Sequence, residues 1–519
     1  VADFGPLANG AKGVAHFSRR VIELNKKYAK TLLTHKNPYT GKSLAEDPFF
    51  VGTELVNESS IFTGYGLEDF PPAFEAELQK LYEAWGGKGK ITRFAWDWSR
   101  QSLKAVRNLE NAEPSMRFLA ATTEATNEDM RIYLRSLGVK SLFAMSNQGL
   151  PLLADLRADA KMDHIDTHAY WDLIWRVDAN GGTDYAPFDN TSQLMNPFKD
   201  TLVFHLASAT VLDKATVVTE WNDCVPNEYR LEGPMLMACY GSLQDWGGML
   251  QFDFTSDLPG SVKLSSLSIN TRPANEVMYQ AGAYIFRRGL LKPSDVTVVE
   301  PLSDKKVLAP ASASSWLAEH PWLPYAAAVR KQFTGKVEKP MPALDQVAAL
   351  FDQAGKKIVS STGELALDYG RGLLKVDARS VQGFVGTVGT GKVLKASDLT
   401  LRADPRNPWA GVLAVSLDGR PLAQSARFVV FAAAKEENSG QVWNATRTAL
   451  KDPGQAPVME QWVKGTVTLK VEGMGTFTAR TLDASGKPGK PLPTSYKHGE
   501  LTIPLSPKNA SGYYEVIRR

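Results

Sequence analysis

Between Val14 and Lys292 helical and strand patterns alternate along the chain, and no other feature restricts its fold as strongly. Phe17, Val21, Leu24, Tyr28 and Leu32 recur at helical spacing. A turn-rich loop, residues 35–41, leads into a strand over Phe49–Val56. Phe74, Leu78, Leu81, Tyr82 and Trp85 mark the next helix, and the helix over Arg117–Leu137 ends with Gly138 as a C′ residue. Further strands are expected over 141–146, 164–168, 216–220 and 248–254, with helices over 152–160, 202–212, 232–246 and 273–288 between and after them. Such alternation implies parallel strands joined by helical crossovers. A complete eight-stranded barrel takes about 250 residues. This region supplies five strands, near residues 50, 143, 165, 218 and 250, so strands 1 to 3 are expected upstream of Val14.

After Lys292 the pattern changes. Residues 293–345 are rich in Pro, Ala and Ser and read as a linker packed on the barrel, with a helical stretch near Trp316–Phe333. From Val347 onward short strands alternate with turns, among them 364–368, 373–377, 412–417 and 422–431, the last two flanking Asp418-Gly419. Strands over 465–471, 476–482, 500–505 and 513–517 continue the series, an antiparallel β-sandwich pattern. The domain reading is a partial barrel over 1–295, a packing segment over 296–345 and a sandwich over 346–519.

Two of the parallel strands end in carboxylates, Asn57-Glu58 and Thr219-Glu220-Trp221. Strands that deliver two acids to one end of a sheet provide the pair that glycosidic-bond cleavage requires. Without that role, Glu58 is a strand-end carboxylate or helix cap and Glu220 an ion-paired residue. Glu54 shares pleat parity with Glu58, about 13 Å further down the strand, and is expected inside the barrel, paired with a cation or hydrogen-bonded.

Composition narrows the partners. The chain has 59 basic and 56 acidic residues, a formal charge of +3, which gives no electrostatic basis for binding nucleic acid. No apolar run is long enough to insert across a bilayer as a helix. Cys224 and Cys239 are 15 residues apart and form no metal cluster or disulfide framework, and no His-Cys pattern supports a thiol nucleophile. Asp163, His164, Asp166 and His168 lie on alternating faces of one strand, so no metal is expected there, and no cofactor is called for.

The ordered trio Asn57-Glu58, His168-Ala169-Tyr170 and Thr219-Glu220-Trp221 resembles the clan A retaining glycoside hydrolases, (β/α)8 TIM-type barrels with the acid/base on strand 4 and the nucleophile on strand 7. The loop His35–Gly41, Ser361-Thr362-Gly363-Glu364 and Ser416-Leu417-Asp418-Gly419 look like cellulase-like bacterial members that carry a C-terminal β-sandwich. The resemblance implies Glu58 as acid/base and Glu220 as nucleophile, with a neutral β-linked carbohydrate (glucan, mannan or galactoside) as substrate. It implies Asn57 as donor to the sugar hydroxyl beside the anomeric carbon, Tyr170 as donor to the nucleophile, and His168 in contact with substrate or Glu220. It also implies a secreted or periplasmic address, with a signal peptide and three more strand-helix units upstream. The chain departs from the clan in two ways. No early-strand Arg can be assigned, and Gln251-Phe252-Asp253-Phe254 stands where a strand-8 Trp is common. Asn147 at the end of a strand is a candidate polar contact. Trp171, Trp221 and Trp246 are candidate sugar platforms or core residues, and Trp96 and Trp98, in an insertion over the catalytic face, are candidates for the leaving-group side. A carbohydrate-binding protein without turnover and a transglycosylase are the rival functions.

Overall fold

A computed structural model describes residues 9–63, 70–97, 102–147, 152–173, 189–255, 267–269, 272–309, 317, 319–334, 343–506 and 511–519. The fold is mixed α/β with a large antiparallel sheet region. Strand β1 (Gly52–Val56) pairs in parallel with β4 (Leu142–Ser146), and β5 (His164–Trp171), β6 (Ala215–Asp223) and β7 (Gly248–Gln251) form a second parallel set. A backbone bond from Asp163 to the Phe143 carbonyl links β4 to β5 (3.0 Å). These are the five strands expected from the sequence. Among the described residues β1 pairs only with β4, and β7 only with β6.

The helices between them are α1 (Arg19–Thr34), α2 (Pro72–Ala84), α3 (Ala112–Ser136), α4 (Leu153–Asp159), α5 (Leu202–Ala207), α6 (Glu232–Leu243) and α7 (Pro273–Arg287). α6 is buried on every side, as expected of an all-round apolar helix at the centre of a core. α1 does not bury the whole of its apolar face. Leu24, Tyr28 and Leu32 lie exposed, and the helix instead buries Leu33 in a small cluster with Ala45 and Phe143. The chain before it, read as loop up to Gly13, forms a 3-10 helix over Asn9–His16. Gly13 is needed there, because a Cβ would meet the Ser60 carbonyl at 2.5 Å.

Two pairs of strands lie where none was expected. β2 (Arg93–Asp97) and β3 (Ser102–Arg107) form an antiparallel hairpin within the insertion. The segment read as a linker holds β8 (Thr297–Leu302) and β9 (Ala328–Phe333), paired in parallel. The helical stretch expected to run to Phe333 is therefore a short helix, Leu323–Ala326, followed by β9.

From Phe351 to the C-terminus, ten strands make one antiparallel sheet and five more make a second. Ala410–Ser416, near the middle of the larger sheet, is buried on both faces. Its Ala410, Val412 and Ala414 face the five-stranded sheet, whose Leu399, Val467 and Leu501 share their core. Leu413 and Val415 face the other way, into a core that holds Met235, Met278 and Trp221. That second core joins the sandwich to α6, α7, β5 and β6. A buried ion pair, Arg230 to Glu436 at 2.7 Å, crosses the same boundary. No helix among the described residues is long and apolar enough to cross a membrane.

Candidate active site

Glu58 follows the C-terminal end of β1 and has φ of 47°, the left-handed region that a β-carbon disfavours by roughly 1–2 kcal/mol. Asn147, just past β4, holds it there. The Asn147 Oδ1 accepts from the Glu58 N–H (2.6 Å), and its Nδ2 donates to the Asn57 Oδ1 (3.0 Å). Fully buried Asn147 thus sets the turn that aims Glu58, a positioning task rather than the substrate contact expected of it. Asn57 is exposed, and its own NH2 is left to serve as a donor.

Glu220 and His168 come from adjacent strands. The β5–β6 register shifts by one residue, so that Thr167 faces Val218 but His168 faces Glu220. Thr219 is the extra residue. In regular pleat Thr219 and Glu220 would point to opposite faces. Here both reach His168, at 2.9 Å from Thr219 Oγ1 to Nε2 and 3.5 Å from Glu220 Oε2 to Nδ1. Nδ1 also lies 3.0 Å from the Glu58 Oε1. The Tyr170 hydroxyl donates to the Glu220 Oε2. A cluster thus forms in which one oxygen each of Glu58 and Glu220 and one nitrogen of His168 lie within 4.8 Å of one another. His168 is 1% exposed, whereas the side chains of Glu58 and Glu220 keep 17% and 20% of their surface in solvent. The acids are reachable, and the imidazole between them is dry.

Lys12, on the 3-10 helix, approaches the Glu58 Oε2 at 3.7 Å. Glu54 lies behind the acids. Its Oε1 is buried without a hydrogen-bond partner, and burial, with lesser contributions from Asp166, Glu220 and Glu58, raises its carboxyl to about 7. The cation or hydrogen bond expected at that oxygen is not there. Desolvation also holds the Tyr170 phenol far above its ordinary range, so it stays a donor to Glu220.

The tryptophans separate into two groups. Trp171 and Trp221 are 6% and 3% exposed and belong to the main core, and the Trp171 Nε1 donates to the Thr191 carbonyl. Neither presents a ring face to a sugar, which corrects their reading as platforms. Trp246, 3% exposed, is a core residue too. Trp96 is half-buried on the hairpin, packed against the cluster of Phe17 and Phe94. Trp98 lies outside the described residues. Cys224 is buried and its thiol is pushed far up by desolvation, which leaves no thiolate.

The sequence pattern missed Lys12, Thr219 and Asp166. Thr219 and Asp166 carried a weak signal, since both sit on strands already assigned to the site. Asp163 bonds Arg135 at 2.9 Å, whereas Asp166 accepts from Thr219, so the acid-histidine series of β5 diverges and forms no metal set. The Glu58, His168 and Glu220 trio is already closed by its own hydrogen bonds and by Tyr170, and we assign it no metal.

No protein-family model matches the sequence, and neither does any curated protein. Among solved structures, the chain is similar to a catalytic mutant of Gan42B, a GH42 beta-galactosidase from G. stearothermophilus. The identity is 11%, the match covers 97% of this chain and 82% of that one, and the TM-score is 0.36. A second Gan42B structure gives 12% identity, the same coverage and a TM-score of 0.32. The catalytic domain of GH30 xylanase C from Talaromyces cellulolyticus gives 11% identity, 78% and 57% coverage and a TM-score of 0.18. Likenesses at these scores carry no argument, and the chemistry rests on the geometry above.

Proposed function

We propose that the chain is a retaining glycoside hydrolase that cleaves a β-linked neutral poly- or oligosaccharide through a covalent glycosyl-enzyme intermediate. One observation carries the reading: the carboxyls of Glu58 and Glu220, 162 residues apart in sequence, approach within 4.8 Å at the C-terminal ends of parallel strands. Retention places the two carboxyls about 5–5.5 Å apart, while inversion needs roughly 6.5–9.5 Å to admit a water. Glu220, with the Tyr170 O–H on its Oε2, is the ionised nucleophile. Glu58, against the His168 nitrogen, is the acid.

In the first step the Glu220 oxygen forms a bond to the anomeric carbon. The glycosidic bond breaks, and its oxygen leaves with the Glu58 proton. In the second, water attacks that carbon, Glu58 takes the proton from the water, and Glu220 is released. The NH2 of Asn57 is placed to donate to the neighbouring sugar hydroxyl. The parallel strands fit the later part of a (β/α)8 barrel, with the antiparallel sheets as a separate sandwich domain. Replacing the nucleophile tests the reading. Glu220→Gln should abolish turnover of aryl β-glycosides, and azide should rescue Glu220→Gly with release of a glycosyl azide. Normal turnover by Glu220→Gln would refute the assignment. A sugar-binding protein without turnover is the second reading, favoured by the pairing of β1 with β4 alone among the described residues. Sugar binding by calorimetry with no product from the unaltered chain would select it.

A further inference from the structure

Behind the two acids runs a polar chain that the reaction scheme does not use. Asp166, on β5, accepts the Thr167 N–H at 2.7 Å and the Thr219 N–H at 3.2 Å. The Thr219 hydroxyl lies 2.9 and 2.8 Å from its two oxygens. The same hydroxyl oxygen lies 2.9 Å from the His168 Nε2, and the His168 Nδ1 lies 3.0 Å from Glu58. Asp166, Thr219, His168 and Glu58 form one line.

The direction of each bond follows from counting protons. An ionised carboxylate only accepts, and a threonine hydroxyl has one proton to give. With that proton on Asp166, the Thr219 oxygen can only accept from His168, so Nε2 carries the hydrogen. A neutral imidazole then has a bare Nδ1. That nitrogen needs a donor, and two carboxyls face it. Glu220 already accepts a hydrogen bond from the Tyr170 hydroxyl on the oxygen nearest Nδ1. Glu58 is the group left to supply an O–H.

We propose that Asp166, acting through Thr219, holds His168 as its Nε2–H tautomer and thereby stations the resting proton on Glu58. Asp166 and Thr219 are positioning residues, since neither touches the reacting atoms. For the catalytic consequence the proposal rests on the glycosidase reading above. Once Glu58 has given up its proton, the Nδ1 lone pair faces a carboxylate, which favours recapture of a proton from the attacking water. Other charges face this line. Lys12 approaches Glu58 from the 3-10 helix. Glu54 on β1 interacts with Asp166, His168 and both acids. Asp159 on α4 and His164 on β5 interact with Asp166. Burial raises the Asp166 carboxyl, opposed by its bonds from Thr219 and Thr167 and by His168.

The test reads the tautomer first. The full chain, labelled with 15N-histidine, contains seven histidines. The His168 signals are identified by their loss in His168→Asn. At pH 7 the proposal expects a neutral ring protonated at Nε2. A ring protonated at Nδ1, or at both nitrogens, overturns it whether or not the protein cleaves any glycoside, which keeps this failure distinct from failure of the glycosidase reading. Thr219→Val removes the link, and Thr219→Ser restores the hydroxyl. In Thr219→Val, Nδ1 should gain the hydrogen and donate to Glu58, and the basic limb of kcat/KM against pH should move about one unit lower. Aryl glycosides with poor leaving groups should lose roughly tenfold more rate than those with good ones, which need no acid. Thr219→Ser should restore both. An unchanged tautomer and an unchanged leaving-group dependence in Thr219→Val would overturn the proposal.

Discussion

Replacing Glu54 with glutamine should make the protein less sensitive to rising pH. Glu54 lies on β1 behind Glu58 and Glu220, and burial raises its carboxyl from an ordinary 4.5 to about 7. A raised carboxyl stays protonated in the folded chain over a pH range where the unfolded chain has released its proton. Its contribution to stability is therefore complete below about pH 4.5 and is lost as pH rises through about 7. At about 1.4 kcal/mol per pH unit the difference corresponds to roughly 3 kcal/mol. The side chain is only partly buried, and solvent screening cuts the figure to about 2 kcal/mol. Urea unfolding at pH 5 and pH 8, followed by both tryptophan fluorescence and circular dichroism, measures it. Asp155 and Glu232, buried and raised to about 7, impose the same trend on both proteins. His16, lowered to about 4 by burial, imposes the opposite one. These terms cancel in the comparison. The unaltered chain should lose about 2 kcal/mol more than Glu54→Gln between pH 5 and pH 8. Equal losses in the two proteins would refute the account of Glu54 as a buried acid held protonated.

Two further substitutions test the hydrogen bond on Glu220 and the boundary with the antiparallel sheets. Tyr170→Phe removes the O–H that Glu220 accepts, a hydrogen bond to a charge worth about 1.5–3 kcal/mol, so kcat/KM should fall roughly 10–100-fold; an unchanged kcat/KM would show that the bond has no part in turnover. Arg230→Met strands the Glu436 carboxylate, 3% exposed, at the boundary between α6 and the sandwich, and should cost about 3–5 kcal/mol in urea unfolding. A loss below 1 kcal/mol would mean that the boundary opens to water, and adding Glu436→Leu should recover most of the stability.

The five parallel strands could be read from the sequence because each is a short β-prone run bounded by turns and followed by a helical period. Glu58 and Glu220 stood out because a strand end locates its residues without any knowledge of tertiary packing, whereas His168 and Tyr170 entered only through the resemblance. Thr219 and Asp166 were not legible. Their meeting depends on a one-residue register shift between β5 and β6, and a period-two pattern contains no such information. β8 and β9 were hidden by composition. Pro, Ala and Ser dominate the segment, and Ala-Val-Arg-Lys-Gln-Phe reads as an amphipathic turn as readily as a strand. The indole rings failed for a different reason. Trp171 and Trp221 sit beside strand ends that point to the site, but only the core shared with α6 decides which face they take. The apolar stripe of α1 located the helix but not its burial, because periodicity reports that a face exists and not what covers it.

The two acids of the proposed site are not held equally. Glu220 projects from β6, paired on both sides, and the core beneath β5 and β6 runs through α6 and α7 into the ten-stranded sheet. Glu58 follows β1, which among the described residues pairs with β4 alone and has no fully buried residue. What fixes Glu58 is local: the amide of Asn147 on its backbone and the His168 ring on its carboxyl. Left-handed backbone past the end of a weakly buried strand draws less support from a core than a strand buried in a continuous one. The placement of Glu58 therefore falls to the hydrogen-bonded line that runs from Asp166. That line starts on the β5–β6 pair and ends on the Glu58 carboxyl. The geometry of the less supported acid is thereby referred to the better supported one, and the separation between the two carboxyls is set by side-chain bonds across the gap as well as by the sheet beneath them.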